Sequence, residues 1–248
     1  MYSNATLKKL ANIQAGLITG IIARGVENQH VKIMPKNTKV PCPNYGTSPV
    51  RNCVNCASCV HSCYVIKADV RFPWAPWDTY TDADGKIRRR PGSAYGHAVN
   101  SSIYETDRVR FWDEIEHAFL RMRGAYMRGW ESGDFSDVYD VSRVDRFCRK
   151  EPEKTHWTYT KTWDAVNEYI DKNGRANNNI IMFSVPFGMD IETFNERHNR
   201  HGLPVFLVLP TRDAVKRSGM WACPGKCDVC LKCRRGCVVG ESAACAIH

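Results

Sequence analysis

The chain has 248 residues, 43% of them hydrophobic and 25% charged, and 12 are cysteines. This is enough apolar material for one sizeable domain or two small ones, and it excludes wholesale disorder. No apolar run approaches the roughly 20 residues of a membrane helix, so no membrane partner is expected. The formal charge of +9 counts every thiol as neutral. A 2+ cluster held by four thiolates carries about −2, so two such centres would bring the balance to roughly +5 and weaken the case for nucleic acid.

The N-terminal stretch "LKKLANIQAGLITGIIARG" has a faint signal-peptide look, but Asn12 and Gln14 interrupt it. An amphipathic helix or a strand is the expectation, in a reducing cytosol. Residues 42–64 hold five cysteines with little periodicity, as a loop organised by its ligands would. Residues 72–100, rich in Pro, Gly, Asp and aromatics, predict a long irregular excursion. Ser102 with Glu105 then reads as a capping box, followed by a helical stripe of Val109, Trp112, Ile115, Phe119 and Met122 up to Gly124. Beyond it, "AYMRGWE", "THWTYT", "NIIMFSV" and "PVFLVLP" read as strands. Three helices separate them, "DVYDVSRVDRFCRK", "WDAVNEYIDKNG" and "DIETFNERHNRHG". This alternation predicts an α/β fold: a small, parallel, partial-barrel-like β/α core with cysteine-rich metal-binding loops near both ends. One domain is expected over 1–248: an N-terminal segment 1–41, a cysteine-rich loop and excursion 42–100, a β/α core 101–212 and a cysteine-rich segment 213–248.

The cysteines carry the clearest chemical signal. "CVNCASCVHSC" (Cys53, Cys56, Cys59, Cys63) and "CDVCLKCRRGC" (Cys227, Cys230, Cys233, Cys237) share the spacing C-x2-C-x2-C-x3-C. That spacing suits a [4Fe–4S] cube, whereas zinc sites more often pair two knuckles across a longer segment. Tyr64 and Val238 stand where a ferredoxin has proline, so only the spacing is shared. Cys42 and Cys223 each precede a proline near a run and join the candidate ligands, as does Cys245. Cys148 falls in a helix and reads as a small buried hydrophobe. Eight ligands would hold two cubes, the expected number, and the cysteine count allows three. Zinc is the alternative metal, in a nucleic-acid-binding or host-interaction protein without redox chemistry. Standard radical-SAM spacing fails, because Ile66 and Gly240 occupy the third ligand position after Cys59–Cys63 and Cys233–Cys237.

"CP" at Cys42, "CVHSCY" at Cys59–Tyr64, "SGDFSDVYDV" at Ser132–Val141, "YTKTW" at Tyr159–Trp163 and "CPGKCDVCLKC" at Cys223–Cys233 occur in an order that resembles the phage gene-product-88-like domain. The short closing "AIH" is similar too. The resemblance implies a phage or mobile-element origin, the cytoplasm of a bacterial host, and a metal-bearing chain. It supplies no reaction. Its cysteine marks fall on Cys42, Cys59, Cys63, Cys223, Cys227, Cys230 and Cys233, leaving Cys53, Cys56 and Cys237 as extras.

Parallel strand–helix units gather functional loops at the C-terminal ends of their strands. That rule places Asp134, Lys161, Ser184 and Arg212 on one rim, with Asp134, Lys161 and Arg212 as candidate catalytic groups and a small anionic ligand or an electron-transfer partner as the expected visitor. Taken singly, Asp134 reads as a helix cap and Arg212 as a surface charge. The basic run "KIRRR" (86–90) reads as a solvated segment, and Trp74 and Trp77 as a cover over the first thiol run. His61 is a further ligand candidate. His156, His198 and His201 read as structural or surface residues.

Overall fold

The computed structural model describes residues 2–34, 40–53, 60, 63–81, 84–88 and 92–246. Cys56, Cys59, His61, Arg89, Arg90 and most of the closing "AIH" lie outside the described residues.

The N-terminal segment is a helix, α1 (Asn4–Ile22). Its Ser3 cap accepts from Thr6 N, and its apolar face buries Leu10, Leu17, Ile18 and Ile21. After α2 (Tyr64–Arg71) and a small antiparallel pair, β1 (Tyr80–Thr81) and β2 (Ile87–Arg88), the irregular excursion ends earlier than its composition suggests. Ser93–Thr106 forms a helix, α3, in which every residue from Ala94 to Tyr104 is buried. Small and weakly polar side chains such as Ala94, Gly96, Ala98 and Ser101 suit a helix enclosed by α1, α2 and α4. Ser102 is therefore no N-cap; its hydroxyl donates to Ala98 O inside α3. The cap falls at Asp107, which accepts from Arg110 N at 2.9 Å and starts α4 (Arg108–Arg121). On α4 the buried stripe is Phe111, Trp112, Ile115 and Phe119, while Val109 is exposed.

The remaining elements follow the expected alternation: β3 (Tyr126–Arg128), α5 (Val138–Lys150), β4 (Thr155–Thr160), α6 (Trp163–Asn173), β5 (Asn179–Ser184), α7 (Ile191–His198), β6 (Val205–Leu209) and α8 (Arg212–Arg217). Asp137 caps α5 by accepting from Tyr139 N and Asp140 N, and Asp190 caps α7 by accepting from Thr193 N. The C-terminal cysteine-rich segment adds β7 (Trp221–Ala222), α9 (Cys227–Cys233) and β8 (Ala243–Ala246). Six strands form one curled, all-parallel sheet in the order β3-β4-β5-β6-β8-β7, a half-barrel. The fold is thus mixed α/β with a parallel core, and β8 inserts between β6 and β7.

The period of two along each strand divides the core. Met127, Ile181, Phe183, Val205 and Leu207 face the helices and join the large core. Trp157, Tyr159, Ile180, Met182 and Phe206 face the other way, toward a second apolar cluster that contains the C-terminal cysteines. Helices of a β/α barrel form its outer layer, so this second cluster fills the inner face. His156 is wholly buried on the helical side, its Nε2 3.0 Å from Tyr45 Oη, and burial pushes its pKa down to about 3, keeping it neutral. Cys148 is also buried there, in α5.

Residues 42–52 continue the sheet beyond β3. Arg128 N donates to Pro43 O, Tyr45 N to Arg128 O, and Thr47 N to Ser132 O. The path carries Cys42 beside Arg128 and delivers Cys53 to the C-terminal rim. Gly133 makes the contact with this strap feasible: its φ is +87°, and a Cβ there would stand 2.1 Å from Thr47 Oγ1.

Candidate metal centre

The C-terminal thiols are held by a compact loop. Cys223 N donates to Ala244 O at 2.8 Å, which joins the end of β7 to β8. Helix α9 presents Cys227 and Cys230 and ends at Arg234 in the left-handed region. A short 3-10 turn, Gly236–Val239, then carries Cys237. Glu241 clamps this turn by accepting from Arg235 Nε and Nη2 and from Gly236 N at 2.6–2.8 Å, and Arg235 holds its pKa down to about 2. The Arg235 guanidinium also lies over the Trp221 ring at 4.7 Å. Gly236 is required beneath it, since a Cβ would come within 2.5 Å of Trp221 Cδ1. Arg235, in the basic stretch Lys232–Arg235, therefore serves to hold this loop.

Cys42, far away in sequence, joins this group. Cys42, Cys230 and Cys237 are buried with Val40, Trp157, Met182 and Val238, while Cys223, Cys227 and Cys245 are half-buried and Cys233 is exposed. They lie near enough that ionising one would oppose ionising the next: Cys227 opposes Cys42, Cys223 and Cys230 oppose Cys227, Cys223 and Cys233 oppose Cys230, and Cys223 opposes Cys245. Burial, reinforced by neighbouring thiols, pushes Cys42 and Cys237 up to about 12 and Cys245 up to about 11. Arg128 opposes the rise at Cys42, and the Tyr159 hydroxyl opposes it at Cys237.

The chemistry of this donor set is compatible with a metal cluster. Buried thiols do not ionise alone, and a bound cation reverses that preference. The wall also carries indole N–H groups of the kind that donate to cluster or cysteinyl sulfur: Trp157 Nε1 and Trp221 Nε1 are buried without a regular hydrogen bond among the described residues, and the Trp221 indole faces Cys230. Among the described residues, no three His, Cys, Asp or Glu side chains are drawn together tightly enough to hold a single metal ion. A cubane spreads its thiolates more widely than one ion does.

The described ends of the N-terminal run, Cys53 and Cys63, are held by other elements. Its Cys53 end is tied to α3: Arg51 donates twice to Glu105 at 2.6–2.7 Å, Asn52 Nδ2 donates to Glu105 at 2.9 Å, and Ser101 Oγ donates to Asn52 Oδ1 at 2.6 Å. Its other end, Cys63, precedes α2 and lies near Tyr2 of the N-terminal segment. Trp77 packs on α1, with Arg24 over its ring at 3.9 Å and Tyr95 at 5.4 Å, because Gly20 leaves room for it.

At the rim, Asp134 and Lys161 are brought together. Asp134 is buried, and its carboxylate accepts from Phe135 N at 2.8 Å, Thr160 Oγ1 at 2.5 Å and Lys161 N at 2.8 Å. Burial raises its pKa to about 6. Its backbone N–H donates to Asn52 O at 3.0 Å, so the rim adjoins the Cys53 end of the first thiol run. Arg212 stands apart, exposed at the start of α8, and its neighbour Thr211 supplies the cap. Ser184 ends β5 beside an apolar groove of about 240 Å³ lined by Val185, Phe187, Met189 and Leu209. No helix is long and apolar enough to cross a membrane among the described residues.

Nothing in the sequence marked the buried pair His97–Asp69, in which Nδ1 of His97 on α3 lies 3.0 Å from both oxygens of Asp69 on α2. Comparison with known families, curated proteins and solved structures finds no match to this chain.

Proposed function

We propose that this chain is an iron–sulfur protein of the phage or mobile-element kind its motifs resemble, carrying two [4Fe–4S] centres on one β/α half-barrel. Supporting this is the gathering of Cys42 with Cys223, Cys227, Cys230 and Cys237 against the inner face, under aromatic and apolar side chains. A centre there would be sealed by Trp157, Tyr159 and Phe206. It would receive donor contacts from Tyr159 and the indoles, and exchange electrons through its exposed edge at Cys233. The N-terminal run adjoins the rim through Asn52 and Asp134, so a centre there would be the one nearest a visiting anion at Lys161.

The test is anaerobic purification followed by visible absorption and iron, sulfide and zinc analysis. Two cubes require roughly eight irons and eight sulfides per chain. A colourless protein with stoichiometric zinc overturns the proposal.

A further inference from the structure

We infer that Cys223 and Cys245 are a redox-active dithiol pair, which closes to a disulfide by exchange with a low-molecular-weight disulfide. The inference goes beyond the metal-centre reading and needs no metal.

The observation is the register of two neighbouring strands. β7 and β8 are parallel, with Trp221 opposite Ala243 and Ala222 opposite Ala244. The ladder runs one residue further: Trp221 N donates to Ser242 O, and Cys223 N repeats the step by donating to Ala244 O at 2.8 Å. Cys223 therefore stands opposite Cys245. Paired residues on neighbouring strands point to the same face, and the period of two identifies it. Trp221 and Ala243 pack with the inner-face cluster, Ala244 and Ala246 with the helical one, so both cysteines face inward. Neighbouring strands lie about 4.7–4.9 Å apart, within the roughly 4.4–6.8 Å between Cα atoms that a disulfide spans. The sulfurs are near enough that ionising Cys223 opposes ionising Cys245. Both thiols are free and half-buried.

The surroundings decide the order of events. Ala222, Pro224 and Gly225 around Cys223 are exposed, so the small disulfide meets Cys223 first. The Cys223 thiol gives up its proton and attacks one sulfur, and the other leaves as a thiolate that takes up a proton. Cys245, held opposite by the ladder, then loses its proton and attacks Cys223 Sγ. This forms the Cys223–Cys245 bond and expels the second small thiol. Two protein thiols are oxidised and one small disulfide is reduced to two thiols, so electrons and protons balance. The bond ties together the ends of the segment that carries Cys227, Cys230, Cys233 and Cys237. At half-exposed positions it is of the labile, exchanging kind rather than a permanent staple. With Cys223 in the pair, Cys42, Cys227, Cys230 and Cys237 remain as the four thiols a cube takes.

The experiment holds the full chain, without oxygen, in mixtures of oxidised and reduced glutathione. Free thiols are alkylated, and the chain is digested with trypsin and a glutamate-specific protease, which cuts at Glu241 between Cys237 and Cys245. The peptides are then mapped by mass spectrometry without reduction. Expected is a Cys223–Cys245 link whose share rises with the oxidised fraction and vanishes with dithiothreitol. Cys245→Ser should lose the link and leave glutathione on Cys223, with its circular dichroism unchanged, while Cys148→Ala should keep the link. Cys223 and Cys245 both alkylated in every mixture, or Cys223 linked to another cysteine instead, overturns the inference. A link formed in a chain that holds no iron and sulfide overturns the metal-centre reading alone. A fully iron-loaded chain that never forms the link overturns the pair alone.

Discussion

Replacing Asp134 with alanine tests whether the rim is held by one buried carboxylate. The change strands Phe135 N, Thr160 Oγ1 and Lys161 N, the three donors that Asp134 accepts from at 2.5–2.8 Å. Each buried donor left without an acceptor costs about 1–3 kcal/mol. Against this, burial raises the carboxyl from 3.8 to about 6, so keeping it ionised at neutral pH costs about 3 kcal/mol. The lost acceptors outweigh the relieved charge, and the variant should be less stable by about 3 kcal/mol at neutral pH. The pH dependence has a definite sign. A carboxyl raised on folding stabilises most below its unfolded value, and that contribution disappears as pH rises through about 6. Alanine removes this dependence, so the gap between the two proteins should widen by about 1.4 kcal/mol on going from about pH 7.5 to about pH 5. Urea unfolding followed by tryptophan fluorescence at both pH values measures it. A gap below about 1 kcal/mol, or one that does not change with pH, would refute the reasoning.

Two further substitutions separate structural from ligating thiols and their supports. Cys148→Ala should cost about 1 kcal/mol in thermal unfolding, since a small fully buried side chain is truncated in α5, and should leave iron content unchanged; iron loss would make Cys148 a ligand. Tyr159→Phe removes the hydroxyl that faces Cys237 and should speed iron loss to a chelator by about 10- to 100-fold. An unchanged rate would detach Tyr159 from the centre.

The parallel core was legible because its strands and helices alternate with clear periods and clear stops. "THWTYT" is β4 residue for residue, and Gly174, with φ +65°, stands where "WDAVNEYIDKNG" ends. Helix α3 was not legible: enclosed on all sides, it has no polar face to set a period, and its Ser, Gly and His content resembles loop composition. Strands β7 and β8 were missed because they have only 2 and 4 residues, and "AACA" has no strand-like side chains. The candidate ligands stood out by spacing alone. Their grouping did not, because Cys42 is carried to the C-terminal thiols by a backbone path along β3 that no local pattern encodes. The buried His97–Asp69 pair was hidden for the same reason, as the two lie 28 residues apart on different helices.

The most direct measurement of the central claim is iron and acid-labile sulfide per chain in the native protein and in Cys230→Ser/Cys237→Ser. If the inner-face thiols hold one of two cubes, the double variant should lose about half of both, roughly four irons and four sulfides, while its circular dichroism keeps the α/β signature. Full iron retention in a folded double variant would contradict the account.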